Sequence, residues 1–80
     1  MTELEVFERL TPVFREIFDN DELILAPTMT AADVDGWDSL SHIRLVVAVE
    51  QLFSISFTAA EISSLENVGH FARTIRAKLA

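Results

Sequence analysis

Apolar residues fall at helical spacing along most of the chain, and the densest stretch runs from Leu40 to Phe53. Advancing 100° per residue, Leu45, Val46, Val49, Leu52 and Phe53 form one broad apolar face of a helix over residues 39–53. At 1.5 Å per residue that helix is roughly 22 Å long. Leu40, Ile43 and Val47, spaced i, i+3, i+7, form a second apolar stripe, flanked by Arg44 and Gln51 on one side and Glu50 on the other. A helix that is apolar nearly all round is either enclosed or keeps a face for a partner. Enclosing one helix completely is hard in 80 residues, so the 40/43/47 stripe is expected to be a partly exposed docking surface, with Arg44 beside it. The competing expectation is that other helices cover both stripes.

Thr2 and Glu5 make a capping box that opens a first helix. Leu4, Phe7, Leu10, Phe14 and Ile17, with Phe18 beside them, give its core face. Pro12 removes a backbone donor and clashes with the carbonyl of Glu8. One bent helix over 3–19 is expected, because the stripe stays in phase across the proline. The alternative is a second helix capped by Thr11 with Pro12 at its first position. Asp19-Asn20-Asp21-Glu22 ends the helix, since acids oppose the dipole at a C-terminus. Residues 20–37 form a long connection tied down by Leu23, Ile24, Leu25, Met29, Val34 and Trp37, with room for one helical turn at Thr30–Asp33. Thr58 and Glu61 make another capping box, for a short third helix through Ser64. Asn67 caps the last helix, whose Val68, Phe71, Ala72, Ile75 and Leu79 share a face, while Arg73, Arg76 and Lys78 complement its C-terminal dipole. The expected fold class is all-α: a small four-helix bundle with a short third helix and a long first loop, residues 1–80 forming a single domain.

Half of the residues are hydrophobic, which excludes disorder. The net charge of −7 argues against nucleic acid and anionic membranes as partners and favours positively charged protein surfaces. With no cysteine there is neither a disulfide framework nor a thiolate metal site. Met1-Thr2-Glu3-Leu4-Glu5 lacks the basic region of a signal peptide, and no apolar run reaches membrane-spanning length. A cytoplasmic monomer is expected.

The candidate chemistry lies at Gly36-Trp37-Asp38-Ser39-Leu40. Asp38 is a good N-cap for the 39–53 helix, because its carboxylate accepts from first-turn N–H groups. Ser39 then falls at the first helical position, where a phosphate attached to it would be favoured by the helix dipole. Asp38, Ser39 and His42 invite a serine-hydrolase reading, but an oxyanion hole, a cleft and a Gly-x-Ser-x-Gly elbow are all missing from the pattern. His42 and His70 are read as structural or solvated. Asp33, Asp35 and Asp38 resemble half of a calcium loop, yet Gly36 and Trp37 break the ligand spacing and no distal Glu closes it, so no metal site is expected.

Asp38-Ser39-Leu40 at the start of the second helix resembles the modification motif of the acyl carrier proteins. The likeness continues through the helix from His42 to Phe53, its trailing Phe53-Ser54-Ile55-Ser56-Phe57, Glu61-Ile62 in the third helix and Asn67-Val68-Gly69 opening the fourth. It covers essentially the whole chain. The resemblance implies a non-catalytic carrier. Ser39 would bear a 4′-phosphopantetheine arm, transferred from coenzyme A by a phosphopantetheinyl transferase, with an acyl group held on the arm's thiol as a thioester. Asp38 would assist that transferase, partly through its metal ion. Acyl-loading, acyl-transfer and synthase enzymes are the further partners implied. Carriers of bacterial fatty-acid synthesis are usually strongly acidic along this helix, whereas Glu50 is its only acid after Asp38. The resemblance implies service to a fatty-acid, polyketide or related specialised pathway, and Arg44 and Gln51, standing where acids are common, point toward a specialised one. A peptidyl or aminoacyl carrier is the nearest alternative, although such carriers often have a second Gly where this chain has Trp37. A helical interaction module without covalent cargo is the alternative from another class, with Ser39 only a helix-start residue.

Overall fold

In the computed structural model, which describes residues 1–79, the order of elements is α1 (Glu3–Ile17), a single 3-10 turn (Ala31–Asp33), α2 (Ser39–Phe53), α3 (Ala59–Ser63) and α4 (Val68–Leu79). The all-α four-helix architecture is as the pattern predicts. α1, α2 and α4 share one core, and α3 lies beside it with no fully buried residue.

The capping box of α1 is formed, with Thr2 Oγ1 accepting from the Glu5 N–H at 3.2 Å and Glu5 Oε1 accepting from the Thr2 N–H at 3.0 Å. The helix runs unbroken through Pro12. Thr11 does not cap a second helix; its hydroxyl turns back and donates to the Phe7 carbonyl at 2.8 Å. The end comes at Ile17, two residues before the sequence expectation. Asp19 takes a left-handed conformation (φ 51°), and the Asn20 N–H reaches the Arg15 carbonyl at 3.0 Å. That is a Schellman closure with an acid in the position glycine usually fills.

The core face of α1 is Val6, Leu10 and Phe14, all fully buried, whereas Leu4 is 68% exposed. Val6 therefore replaces Leu4 in the expected stripe. Two positions along a helix are about 200° of rotation apart, so Val6 and Leu4 cannot both face the bundle. Likewise Leu52 leaves the expected face of α2, whose buried residues are Leu45, Val46, Val49 and Phe53.

The long first loop is tied down as expected at Val34, which is buried, and at Leu23, Leu25, Met29 and Trp37, which pack against the core; Ile24 instead points to solvent. Its firmest hold is at the backbone. The first N–H groups of α4 have no partner within their own helix. Val68 donates to the Met29 carbonyl and Gly69 to the Pro27 carbonyl, each at 2.9 Å. This close approach requires glycine, since a Cβ at Gly69 would sit 2.8 Å from the Pro27 carbonyl oxygen. We expect Gly69→Ala to destabilise the fold by about 1–3 kcal/mol, the usual cost of overpacking against unyielding atoms. Urea melts of the two proteins measure this directly, and equal midpoints would show that the loop can yield.

Short α3 is held by its ends. Thr58 and Glu61 form their capping box, and Glu61 also pairs with Lys78 of α4 at 2.9 Å. The Lys78 ammonium sits 5.4 Å from the centre of the Phe57 ring. No helix among the described residues is long and apolar enough to cross a membrane.

Candidate functional site

The mouth of α2 is built by a tight turn and a cap. Gly36 takes φ +86°, a conformation open to glycine at no steric cost, and the Trp37 N–H closes the turn on the Val34 carbonyl at 3.2 Å. Asp38 then caps the helix, its Oδ1 accepting from the Ser41 N–H at 2.8 Å. That bond to the Ser41 backbone holds the Asp38 carboxyl below its ordinary pKa, so it is ionised at neutral pH. Because Asp38 makes the cap, the Ser39 hydroxyl is left free of that duty. Ser39 is exposed at the first position of the helix and opens onto a shallow cleft shared with Ala31, Trp37, Asp38 and His42.

The second stripe of α2 faces outward, with Leu40 70%, Ile43 51% and Val47 46% exposed and Arg44 exposed beside them. No helix covers it. The only acid of α2 turns away from this surface to a structural task, Glu50 Oε2 accepting from the Phe57 N–H at 2.8 Å.

The sequence pattern predicts a structural or solvated His42 and a Trp37 that ties down the loop. The structure joins them. Trp37 Nε1–H donates to His42 Nδ1 at 3.1 Å, and the two rings stack with centroids 6.1 Å apart. The other imidazole nitrogen, Nε2, lies 3.4 Å from the Ile62 carbonyl of α3. Since Nδ1 accepts, Nε2 carries the proton and faces the carbonyl. Trp37 is itself wedged against Phe14 and Phe18, with ring centroids 5.5 and 5.6 Å away. The signal for this cluster was the i, i+5 spacing of two rings across a helix start, which helical periodicity alone does not flag.

This arrangement removes the hydrolase reading, because both nitrogens of His42 are engaged and neither is offered to Ser39. His70 is engaged elsewhere, its Nδ1 accepting from the Glu66 N–H at 3.3 Å. Of the three aspartates of the half calcium loop, Asp33 caps the 3-10 turn by accepting from the Thr30 N–H at 2.9 Å, and Asp38 caps α2.

No protein-family model matches the chain. The solution NMR structure of the holo acyl carrier protein from Geobacter metallireducens superposes with a TM-score of 0.87 at 42% sequence identity, over 92% of this chain and 85% of that one. The chain belongs to the acyl carrier protein family. In this family member Ser39 stands exposed at the mouth of α2, and the ring nitrogens of His42 face Trp37 and the Ile62 carbonyl.

Proposed function

We propose that this protein carries acyl groups as thioesters on a 4′-phosphopantetheine arm attached to Ser39 Oγ. The observation that carries the reading is the exposed Ser39 at the first position of α2, next to an ionised Asp38 that has already satisfied the cap. A phosphodiester on Oγ fits there. It would lie at the positive end of the α2 dipole with open solvent above it and the cleft beside it. In the loading step Ser39 Oγ attacks the phosphorus of coenzyme A that bears the pantetheine. The Oγ–P bond forms as the pyrophosphate P–O bond breaks, the nucleotide leaves with the electron pair, and the hydroxyl proton passes to a base of the phosphopantetheinyl transferase. Asp38, anionic and adjacent, is placed to help hold that enzyme's metal ion.

The remaining partners are acyl-loading, acyl-transfer and synthase enzymes that dock on Leu40, Ile43 and Val47, with Arg44 tuning which are accepted. Fatty-acid and polyketide synthesis both use such partners. The stripe carries a base and no acid, which favours a related specialised pathway over enzymes that recognise carriers through basic patches. Residues 1–80 act as one non-catalytic carrier domain, a cytoplasmic monomer.

Intact mass after incubation with coenzyme A and a broad-specificity transferase tests the reading. A gain of one phosphopantetheine supports it, and no gain with a transferase active on a control carrier defeats it. Val47→Asp is expected to slow acyl transfer to the partner enzyme while changing stability by no more than about 0.5 kcal/mol, as surface substitutions do. Transfer rates and a urea melt of the same variant separate the two effects. Unfolding by this change would place Val47 in the core.

A further inference from the structure

We infer that Trp37, His42 and the Ile62 carbonyl form a latch that shuts the seam between α2 and α3 and limits the cargo of this carrier to short acyl groups. The inference rests on Ser39 being the attachment point. An arm on Ser39 that turns toward the protein enters the cleft whose floor includes Trp37 and His42. The same two rings, with Ala31, also wall the neighbouring cavity toward α4, which Leu65 and Phe71 complete and Glu66 and Asn67 rim. That cavity is small, about 70 Å³.

Extending it would require the seam to open, and the latch opposes this at both nitrogens of one imidazole. His42 Nδ1 accepts from Trp37 at 3.1 Å, and Nε2 faces the α3 backbone at 3.4 Å. Phe14 and Phe18 back the Trp37 ring and oppose its displacement. Phe71 on the cavity wall is buried, as are Val46 of α2 and Val68 of α4. A long chain would break both contacts and take from the indole N–H and the Ile62 carbonyl the partners they have in the closed seam. A short chain leaves both intact.

The test loads the protein with acyl groups of 2, 4, 8 and 12 carbons, using the transferase and the matching acyl-coenzyme A, with each adduct on the Ser39 peptide confirmed by mass. Melting temperature and Trp37 fluorescence are then read for each form, Trp37 being the only tryptophan. In the wild type both quantities are expected to stay constant beyond four carbons. In His42→Ala, which removes both bonds, the 8- and 12-carbon forms are expected to melt more than about 10 °C above the 2-carbon form, the shift that burying several methylenes produces in a domain this small. Trp37→Phe, which lacks only the donor and half of the ring system, gives the same expectation in melting temperature should His42→Ala lose its helical circular dichroism. A wild-type melting temperature that climbs with chain length above four carbons overturns the latch and leaves the carrier reading standing. Variant series as flat as the wild type also overturn it, by placing the limit in the packed core. Failure of any group to load onto Ser39 overturns the carrier reading and the latch with it.

Discussion

Ser39→Ala is expected to take up no phosphopantetheine at all while keeping its helical circular dichroism. The separation of the two outcomes follows from who does what at the mouth of α2. The N-cap is Asp38, through its 2.8 Å bond to the Ser41 N–H, so the helix start does not depend on the Ser39 side chain. Alanine is the best helix former, and an exposed change of this kind stays within about 0.5 kcal/mol. Serines at 41, 54, 56, 63 and 64 remain in the variant, so mass spectrometry of the whole protein distinguishes loss of the site from loss of a generic hydroxyl. A variant that still gains the mass would move the attachment point elsewhere and end the proposal for Ser39.

Phe14→Ala is expected to cost about 3–5 kcal/mol, the usual range for removing a buried aromatic ring. For a chain of 80 residues the whole stability is about 4–12 kcal/mol, so much or all of the fold is at stake. The effect would not stay in the core. Phe14 is fully buried and meets the Trp37 ring edge-on at 5.5 Å. Trp37 in turn holds His42. Removing the ring from α1 therefore unseats the cluster at the mouth of α2, some distance from the substitution in sequence. A urea titration followed by both Trp37 fluorescence and circular dichroism reads the two consequences together. A loss below about 1 kcal/mol would mean that the ring contributes little to the core.

Much of this was legible in the chain itself. Caps at Thr2, Asp38 and Thr58 are local chemistry, written within three residues, and each forms where its pattern predicts. Helical phase separated the two faces of α2 well enough that Leu40, Ile43 and Val47 emerge exposed. Phase alone was less reliable at the margins. Leu4 and Leu52 fit a stripe drawn from spacing, but the width of a buried face is decided by what packs against it, and that is a tertiary matter. The Trp37–His42–Ile62 chain was not legible for the same reason. Its members lie 5 and 20 positions apart in sequence, and no periodicity links a loop tryptophan to a carbonyl of a five-residue helix. The left-handed Asp19 that stops α1 early was equally hidden, since glycine is the residue that signals such a stop.

The clasp between the first loop and α4 also has a temporal meaning. Val68 and Gly69 hold carbonyls about forty positions upstream, and contacts of such sequence separation form late because the intervening chain must first be drawn together. During synthesis α1 and α2 leave the ribosome before the donors that fix their connection exist. The stretch from Pro27 toward Trp37, which leads into α2, thus gains its backbone hold only once residues 68 and 69 have been made.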